Sequence, residues 1–357
     1  MALLIINCIN LCIYMKNFSS MIICLMGPTA VGKTPFAVEM VKQFLCEIVS
    51  VDSAMVYRGM DIGTAKPTAD VLRIAPHHLI NIADPADIYS VGQFRVDALR
   101  VIADIHARGK IPLLVGGTMM YFRALQQGLA PLPHADRAWR MAFAERVAQA
   151  GGWEAMHAQL AQIDPDAATR IHVHDSQRIQ RAFEVFELTG KTISAWQTEN
   201  TAPLSQYRVY NVALVPSDRT ELHARIAARF QQMLADGFME EMEKLYARGD
   251  LSPDLPSMRS VGYREGWAHL AGEINFATMC EKTVIATRQL AKRQLTWLRS
   301  WPEVQMVTLE MNKNDKKNEK ETTEEVKTLV TFLRQSPLVG LNLDFSRDKS
   351  LNRDIDL

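Results

Sequence analysis

The amino-terminal third of the chain alternates between short, uninterrupted apolar runs and longer segments with helical spacing. The apolar runs at 22–26, 48–51 and 111–115 each stop before Gly or Asp, which is typical of buried parallel strands. The segments at 33–44 and 92–108 carry apolar residues three and four positions apart, as amphipathic helices do. This alternation predicts an α/β fold with a parallel sheet covered by helices on both faces.

Two long segments interrupt the alternation. Residues 58–90 are rich in Gly, Pro, Asp and His and lack periodicity, so they predict a long functional loop. Beyond residue 134 the pattern predicts helices only, at 136–149, 153–162 and 175–189. The later predicted elements are a strand at 207–215, helices at 218–234, 236–248 and 274–299, and a last strand at 304–308. The economical interpretation is an all-helical insertion within an α/β core.

The two ends of the chain differ from this core. Residues 1–20 are apolar but lack a basic start and are too short to span a bilayer, so a disordered extension or a mis-assigned start is favoured over a membrane anchor. Residues 311–357 begin with a charged run and contain at most one weak helix, at 322–334, which predicts a solvated tail. The predicted organisation is a core of residues 21–134 and 200–310, a helical insertion of residues 135–199, and these two ends.

Composition narrows the class of protein only slightly. Of 357 residues, 48% are apolar and 22% charged, as in ordinary globular proteins, and 40 basic residues balance 40 acidic ones. An RNA-binding face would therefore have to be local. The five cysteines lack CxxC or metal-ligand spacing, which argues against structural zinc and disulfides and favours a reducing, cytoplasmic setting. The histidines are expected to have structural or RNA-loop roles rather than metal-binding roles, at positions His77, His78, His172 and His174.

The strongest motif is GPTAVGKT at 27–34, which matches G-x-x-x-x-G-K-[ST] between a strand and a helix. Such a loop wraps backbone N–H groups around a polyphosphate, Lys33 can reach the terminal phosphate, and the Thr34 hydroxyl can ligate Mg²⁺. The sequence thus predicts a P-loop-type sheet core. No acidic residue ends the strand at 111–115, which is followed by Gly116-Gly117-Thr118, and this points away from motor ATPases. The residues expected to bind phosphate are Gly27, Pro28, Thr29, Ala30, Val31, Gly32, Lys33 and Thr34.

Asp52 directly follows the strand at 48–51, so it lies at the carboxyl edge of the sheet, where open α/β folds bind ligands. It could act as a general base. A ligand to Mg²⁺-bound water and a cap for the following loop are equally compatible with its position.

Several longer motifs accompany this loop. They are VDSAMVYRGMDIGTAKP at 51–67, PHH at 76–78, LVGGTMMY at 114–121, DSQR at 175–178, MRSVGYR at 258–264 and KRQLTWLR at 292–299. With these motifs, residues 21–310 resemble the tRNA dimethylallyltransferase (tRNA isopentenyltransferase) family. The resemblance implies that a dimethylallyl group passes from dimethylallyl diphosphate to N6 of the adenosine immediately 3′ of the anticodon in tRNA, giving N6-(dimethylallyl)adenosine and diphosphate.

The resemblance also implies roles for individual residues. Asp52 would take the N6 proton, Thr118 would contact both reactants, and Arg229 would help to hold the diphosphate, with Mg²⁺ as cofactor. The partner would be a tRNA anticodon stem-loop whose target base leaves its stack, and neither a membrane nor an obligate protein partner is expected. The residues expected to bind tRNA are Asp52, Ser53, Ala54, Met55, Arg140, Gln177, Arg178, Ile179, Gln180, Arg181, Arg259, Ser260, Val261, Gly262, Tyr263, Arg264, Arg288, Lys292, Arg293 and Arg299.

Independent support for an RNA face is limited. Arg288, Lys292 and Arg299 fall on one stripe of a helix, but such a stripe is often only a solvated face. Trp297 and Trp301 could stack on bases, although core packing is favoured for both. Two rival functions remain open from the residues alone: a small-molecule or nucleotide kinase with the insertion as a lid, and an RNA-binding adaptor with a relic phosphate loop.

Overall fold

The computed structural model describes residues 20–130, 132–133, 136–198 and 202–309. Its six strands are β1 (Met21–Met26), β2 (Cys46–Val51), β3 (His77–His78), β4 (Ile111–Gly116), β5 (Arg208–Pro216) and β6 (Val304–Leu309). They form one sheet in the order β3-β2-β4-β1-β5-β6, and every neighbouring pair is parallel. The predicted parallel α/β core is therefore confirmed.

Thirteen helices accompany the sheet within the described residues. They are α1 (Lys33–Gln43), α2 (Ala69–Ile74), α3 (Val91–Ala107), α4 (Met119–Gln126), α5 (Arg137–Gln149), α6 (Trp153–Ile163), α7 (Pro165–Arg170), α8 (Ser176–Thr189), α9 (Ile193–Gln197), α10 (Arg219–Ala235), α11 (Phe238–Tyr246), α12 (Tyr263–Leu270) and α13 (Phe276–Arg299). Across the described part of the chain, none of them combines the length and the apolar character that a membrane crossing requires.

The two faces of the sheet bury alternate residues of each central strand, because successive strand side chains point to opposite faces. In β1, Ile22 and Cys24 pack into the cluster that contains Phe94 of α3. Leu25 packs into the cluster on the other face, together with Ala37 of α1. Burial on both faces explains why these strands appear in the sequence as unbroken apolar runs.

The long loop predicted at 58–90 contains two short elements that were not predicted. The segment contains α2, which Thr68 caps by accepting a hydrogen bond from the N–H of Val71, and the two-residue strand β3. Both elements are too short to produce a visible period in the sequence. Helix α4, which follows β4 at once, and the short helices α7 and α9 were also not predicted.

The other predicted helices and strands are confirmed with boundaries shifted by one to two residues. The prediction for residues 311–357, including the weak helix at 322–334, lies outside the described residues, as does all of the 1–20 segment except Ser20.

Helices α5 to α9 have a core of their own, in which Phe143, Met156, Ile179 and Phe183 are buried together. Where the chain returns from these helices to the sheet, the backbone N–H of Leu204 donates to the carbonyl oxygen of Leu125 in α4, at 3.3 Å. The segment therefore leaves the core and rejoins it at one place.

Candidate active site

Three strands end side by side at one edge of the sheet. Met26 of β1 and Val51 of β2 both pair with Gly116 of β4. A Cβ atom on Gly116 would lie 2.0 Å from the carbonyl oxygen of Val51, so only glycine allows this close approach. A cavity of about 910 Å³ opens over this edge.

The phosphate loop of residues 27–34 forms one wall of the cavity. Lys33 Nζ donates to the carbonyl oxygens of Gly27 (2.9 Å) and Pro28 (2.7 Å). Because α1 begins at Lys33, the N–H groups of its first turn have no partners within the helix. Burial lowers the pKa of Lys33 to about 7, against the opposing influence of Asp52 and with a further lowering by Arg229. The loop therefore presents amide donors and a titratable ammonium group to one space.

Asp52 and Thr118 form the adjacent wall. Asp52 Oδ1 accepts hydrogen bonds from the N–H groups of Ala54 (2.8 Å) and Met55 (3.1 Å), so the loop-capping role is real. Within the described part of the chain, Oδ2 has no hydrogen-bond donor, which leaves it available to a proton or to a metal-bound water. Thr118 Oγ1 accepts from the N–H of Ser53 at 3.1 Å and thus links β4 to the turn after β2.

Arg229 of α10 adds a second cation to the same cavity. Burial lowers its pKa, and Asp52 partly offsets this effect. Neither Arg229 nor Lys33 has a carboxylate within ion-pair distance among the residues that the structure describes. The positive charge of the cavity is therefore not neutralised by a direct partner.

Part of the basic surface predicted to bind tRNA lies around the mouth of the cavity. On α13, Lys292, Arg293 and Arg299 are exposed, and Arg293 also lines the cavity. Arg288 is half-buried, and its Nε has no partner in the described part of the chain.

Other predicted tRNA residues lie near this helix or on the insertion. Among the former, Arg259 and Arg264 are exposed, Ser260 and Val261 are half-buried, and Gly262 is buried. On the insertion helix α8, Gln177 and Arg178 are exposed and Gln180 is half-buried. Ser53, Ala54 and Met55 line the cavity itself.

Four residues predicted to bind tRNA make contacts inside the protein. Ile179 has no exposed surface, so it cannot contact tRNA directly in this conformation. Tyr263 is buried at the wall of the cavity, where its hydroxyl donates to Glu241. Arg140 and Arg181 both bind the buried carboxylate of Glu184. The prediction counted basic residues without knowing which of them a buried acid neutralises.

The two tryptophans near the end of α13 differ. Trp301 is 6% exposed and packs edge-on against Phe122, which confirms the core role that was favoured. Trp297 is half-buried and lines the cavity, with the guanidinium of Arg123 5.9 Å from the centre of its ring.

The sequence did not reveal Glu241 of α11. Its carboxylate accepts hydrogen bonds from the backbone N–H groups of Asp61 (2.7 Å), Ile62 (2.8 Å) and Gly63 (3.0 Å) and from the hydroxyl of Tyr263 (2.5 Å). Gly63 and Tyr263 both line the cavity, so one buried acid joins two of its walls. In the sequence Glu241 is one of several glutamates in a charged helix and carries no distinguishing signal.

Gln294 of α13 was also missed. Its Oε1 accepts from the N–H of Thr29 and its Nε2 donates to the carbonyl oxygen of Gly117, each at 2.9 Å. The sequence signal for Gln294 is weak: it is a polar side chain on the mostly apolar, buried face of α13.

Metal-ligand groups are sparse in this part of the protein. The described residues contain no group of three His, Cys, Asp or Glu side chains placed to hold a metal ion. His77 and His78, which the sequence left between structural and RNA-loop roles, make internal contacts: His77 Nδ1 lies 2.7 Å from the carbonyl oxygen of Ala75, and His78 Nε2 lies 2.7 Å from Glu47. His172 and His174 are exposed on the insertion.

This six-stranded parallel sheet, flanked by helices and with a cavity over one edge, defines an α/β protein. The family described as IPP transferase matches residues 55–301. A tRNA dimethylallyltransferase from Thioalkalivibrio sulfidiphilus (strain HL-EbGR7) is 58% identical over 286 residues, which cover 80% of this chain and 89% of the relative. The chain therefore belongs to the IPP transferase family, and the predicted resemblance is confirmed.

Solved structures agree with this assignment. The full-length tRNA isopentenylpyrophosphate transferase of Bacillus halodurans is 34% identical, covers 88% of this chain and 96% of its own, and superposes with a TM-score of 0.62. A eukaryotic dimethylallyltransferase described as acting on tRNA is 24% identical, covers 89% of this chain and 80% of its own, and has a TM-score of 0.70, which supports the fold alone. Family membership favours a transferase over the kinase and the RNA-binding adaptor.

Proposed function

We propose that this protein transfers a dimethylallyl group from dimethylallyl diphosphate to N6 of the adenosine immediately 3′ of the anticodon in tRNA. One observation carries the assignment of the site: two half-buried cations without ion-pair partners among the described residues, Lys33 and Arg229, share a cavity with Asp52 and Thr118. The cations suit a diphosphate leaving group, and the carboxylate suits an acceptor that must lose a proton.

In the proposed step, the allylic C–O bond to the diphosphate breaks and the same carbon forms a bond to N6 of the adenine. The electron pair of the broken bond leaves with the diphosphate, and the N6 proton passes to Asp52. Negative charge that develops on the leaving group is stabilised by Lys33, Arg229 and the amides of the phosphate loop. Thr118, fixed by its bond to the N–H of Ser53, orients the two reactants.

The donors present fit Mg²⁺, which usually needs only one or two protein oxygens besides substrate phosphates and waters. The Thr34 hydroxyl lines the cavity and would hold the ion together with the diphosphate, and Asp52 could bind one of its waters. When bound, Mg²⁺ would neutralise part of the charge on the leaving group.

The tRNA side of the proposal rests on the exposed basic residues near the cavity mouth, Arg259, Lys292 and Arg293. They would hold the phosphates of an anticodon stem-loop while the target adenine enters the cavity. The reaction would then take place where tRNA is found, in the cytoplasm.

The test is incubation with radiolabelled dimethylallyl diphosphate, Mg²⁺ and unmodified tRNA. Label recovered in the adenosine 3′ of the anticodon supports the proposal, and a tRNA with guanosine at that position serves as the control and should stay unlabelled. Label in neither tRNA, together with ATP consumption in a parallel reaction, would contradict it and favour a kinase.

A further inference from the structure

The side chain of Gln294 connects two segments that the proposed reaction uses. It is 8% exposed and lies between the phosphate loop and the turn after β4. Oε1 accepts from the N–H of Thr29, and Nε2 donates to the carbonyl oxygen of Gly117. Thr29 belongs to the phosphate loop and Gly117 precedes Thr118. One amide group therefore links the two segments just beyond the point where β1 and β4 pair.

The amide suits both partners, because its oxygen accepts on one side and its nitrogen donates on the other. A carboxylate at this position would still accept from Thr29 but would place an oxygen against the carbonyl oxygen of Gly117. Gly117 is adapted to the same contact: a Cβ atom there would lie 2.3 Å from Gln294 Nε2 and 3.1 Å from the carbonyl oxygen of Gly27. The two positions fit each other closely.

The two segments that Gln294 connects also make contacts with the proposed reacting groups. In the loop, the carbonyl oxygen of Gly27 is held by Lys33 Nζ. Beyond the turn, Thr118 Oγ1 accepts from the N–H of Ser53, which follows Asp52 directly. Hydrogen bonds and short stretches of backbone thus connect the phosphate loop, through Gln294, to the wall that contains the proposed base.

We propose that Gln294 is a positioning residue that aligns the bound diphosphate with the Asp52 and Thr118 side of the cavity. This inference rests on the proposed function. Both hydrogen bonds of Gln294 end on backbone atoms, so it acts through the loop and the turn rather than on a reactant. Gln294 therefore affects how the bound diphosphate substrate is aligned with the acceptor. A displacement of one reactant by about 1 Å can lower the rate on the order of 100-fold.

The decisive variant is Gln294→Glu, which keeps the shape of the side chain and its bond to Thr29 while removing the donor to Gly117. We expect kcat for prenyl transfer to fall by about 10- to 100-fold, with the affinity for inorganic diphosphate reduced and the affinity for tRNA unchanged. Gln289→Glu is the matched control, because Gln289 is exposed on the same helix and the charge change is identical. It should keep the wild-type kcat and the wild-type affinity for inorganic diphosphate.

A second measurement separates positioning from loss of folding. Gly117→Ala should lower kcat by pushing Gln294 aside, and in a Gln294→Ala background the same change should cost less, because the space has been vacated. Folded fraction is measured by circular dichroism at the assay temperature for every variant. Additive losses in kcat would overturn the proposal.

The remaining outcomes are also decisive. Wild-type kcat and diphosphate affinity in Gln294→Glu, or losses that simply follow its unfolded fraction, would overturn the inference while leaving the proposed function intact. Failure of the wild-type protein to transfer label to tRNA, by contrast, would remove the proposed function, and with it the basis of this inference.

Discussion

The insertion contains a buried charge and the cavity contains half-buried ones, and the two regions neutralise these charges differently. In the insertion, the carboxylate of Glu184 has no exposed surface and accepts hydrogen bonds from Arg140, Arg181 and the N–H of Asp136. Although burial raises its pKa, these bonds from Arg140, Arg181 and Asp136 bring the pKa of Glu184 below its usual value. In the cavity, Lys33 and Arg229 have no such direct partner within the described residues, and burial lowers the pKa of each.

This difference distinguishes charges that stabilise the fold from charges that remain available to bind a ligand. A buried charge with hydrogen-bond partners of opposite sign holds its surroundings in place and has little capacity left for a ligand. A buried cation without one costs folding free energy, and this cost is relieved when an anion binds. Glu184 with Arg140 and Arg181 therefore belongs to the first kind, and Lys33 and Arg229 belong to the second.

The largest effect is expected from Asp52→Asn, which removes a carboxylate whose charge acts on both cavity cations. Asn can still accept from the N–H groups of Ala54 and Met55, so the turn should remain folded. We expect kcat to fall by about 10³-fold with tRNA affinity unchanged, since general-base catalysis contributes of this order. Single-turnover transfer assays measure the rate, and near-normal turnover would exclude Asp52 as the base.

Glu184→Gln tests the stabilising charges. We expect the free energy of unfolding to fall by about 2 kcal/mol, because two arginines lose a buried charged acceptor. Since the pKa of Glu184 is lowered in the folded state, its stabilisation is present above the usual Glu pKa of 4.5 and is lost as pH falls below it. Urea unfolding from pH 7 to pH 3 should show this acid-dependent loss in the wild type and not in the variant.

A control for this experiment lies on the same helix. Glu187→Gln removes a more exposed ion pair with Arg146 and should cost well under about 1 kcal/mol. Equal losses for the two variants would contradict the distinction drawn between them.

Lys33 tests the cavity charges through proton uptake. With a pKa of about 7 in the free protein, Lys33 is mostly neutral at pH 8, and a bound diphosphate should protonate it. We expect uptake of roughly one proton at pH 8 and almost none near pH 6. Calorimetric titration with inorganic diphosphate in buffers of different ionisation enthalpy measures this uptake.

Lys33→Met is the reference for that titration, because it removes the titrating group and leaves proton exchange by diphosphate itself.

The same pKa of Lys33 sets how the free energy of unfolding changes with pH. The unfolded state binds more protons between pH 7 and 10.5, so stability from this group rises with pH in that window in the wild type and is flat in the variant. Identical uptake in both proteins would show that Lys33 is already charged.

The smallest effect is expected for the exposed basic side chains of α13. Unlike Arg140 and Arg181, they form no ion pair, within the described ranges of the chain, with a buried carboxylate such as that of Glu184. Lys292→Ala should weaken tRNA binding and lower the slope of log affinity against log salt by roughly 0.7 to 1. Filter binding at several salt concentrations measures the slope. Lys110→Ala, at the opposite end of β4 and paired with Glu47, should leave the slope unchanged. An unchanged slope in Lys292→Ala would mean that this residue faces only solvent.

The phosphate loop and Asp52 could be predicted from the sequence because each directly follows a strand, and parallel strands bring their carboxyl ends to one edge. Gln294 could not, because its partner Thr29 is 265 residues away in the chain. Glu241 similarly binds a loop 178 to 180 residues earlier. Contacts of this kind depend on tertiary packing. They cannot be predicted from the spacing of residues in the sequence or from residue type.

The hydrogen bond between Leu204 and Leu125 has a consequence for how members of this family can differ in size. The inserted helices leave and rejoin the sheet domain at one place, and they have a hydrophobic core of their own. The length of the insertion can therefore change in evolution without displacing β4 or β5. Descendants of one ancestral gene could thus enlarge or trim the region between α4 and β5 while inheriting an unchanged catalytic edge.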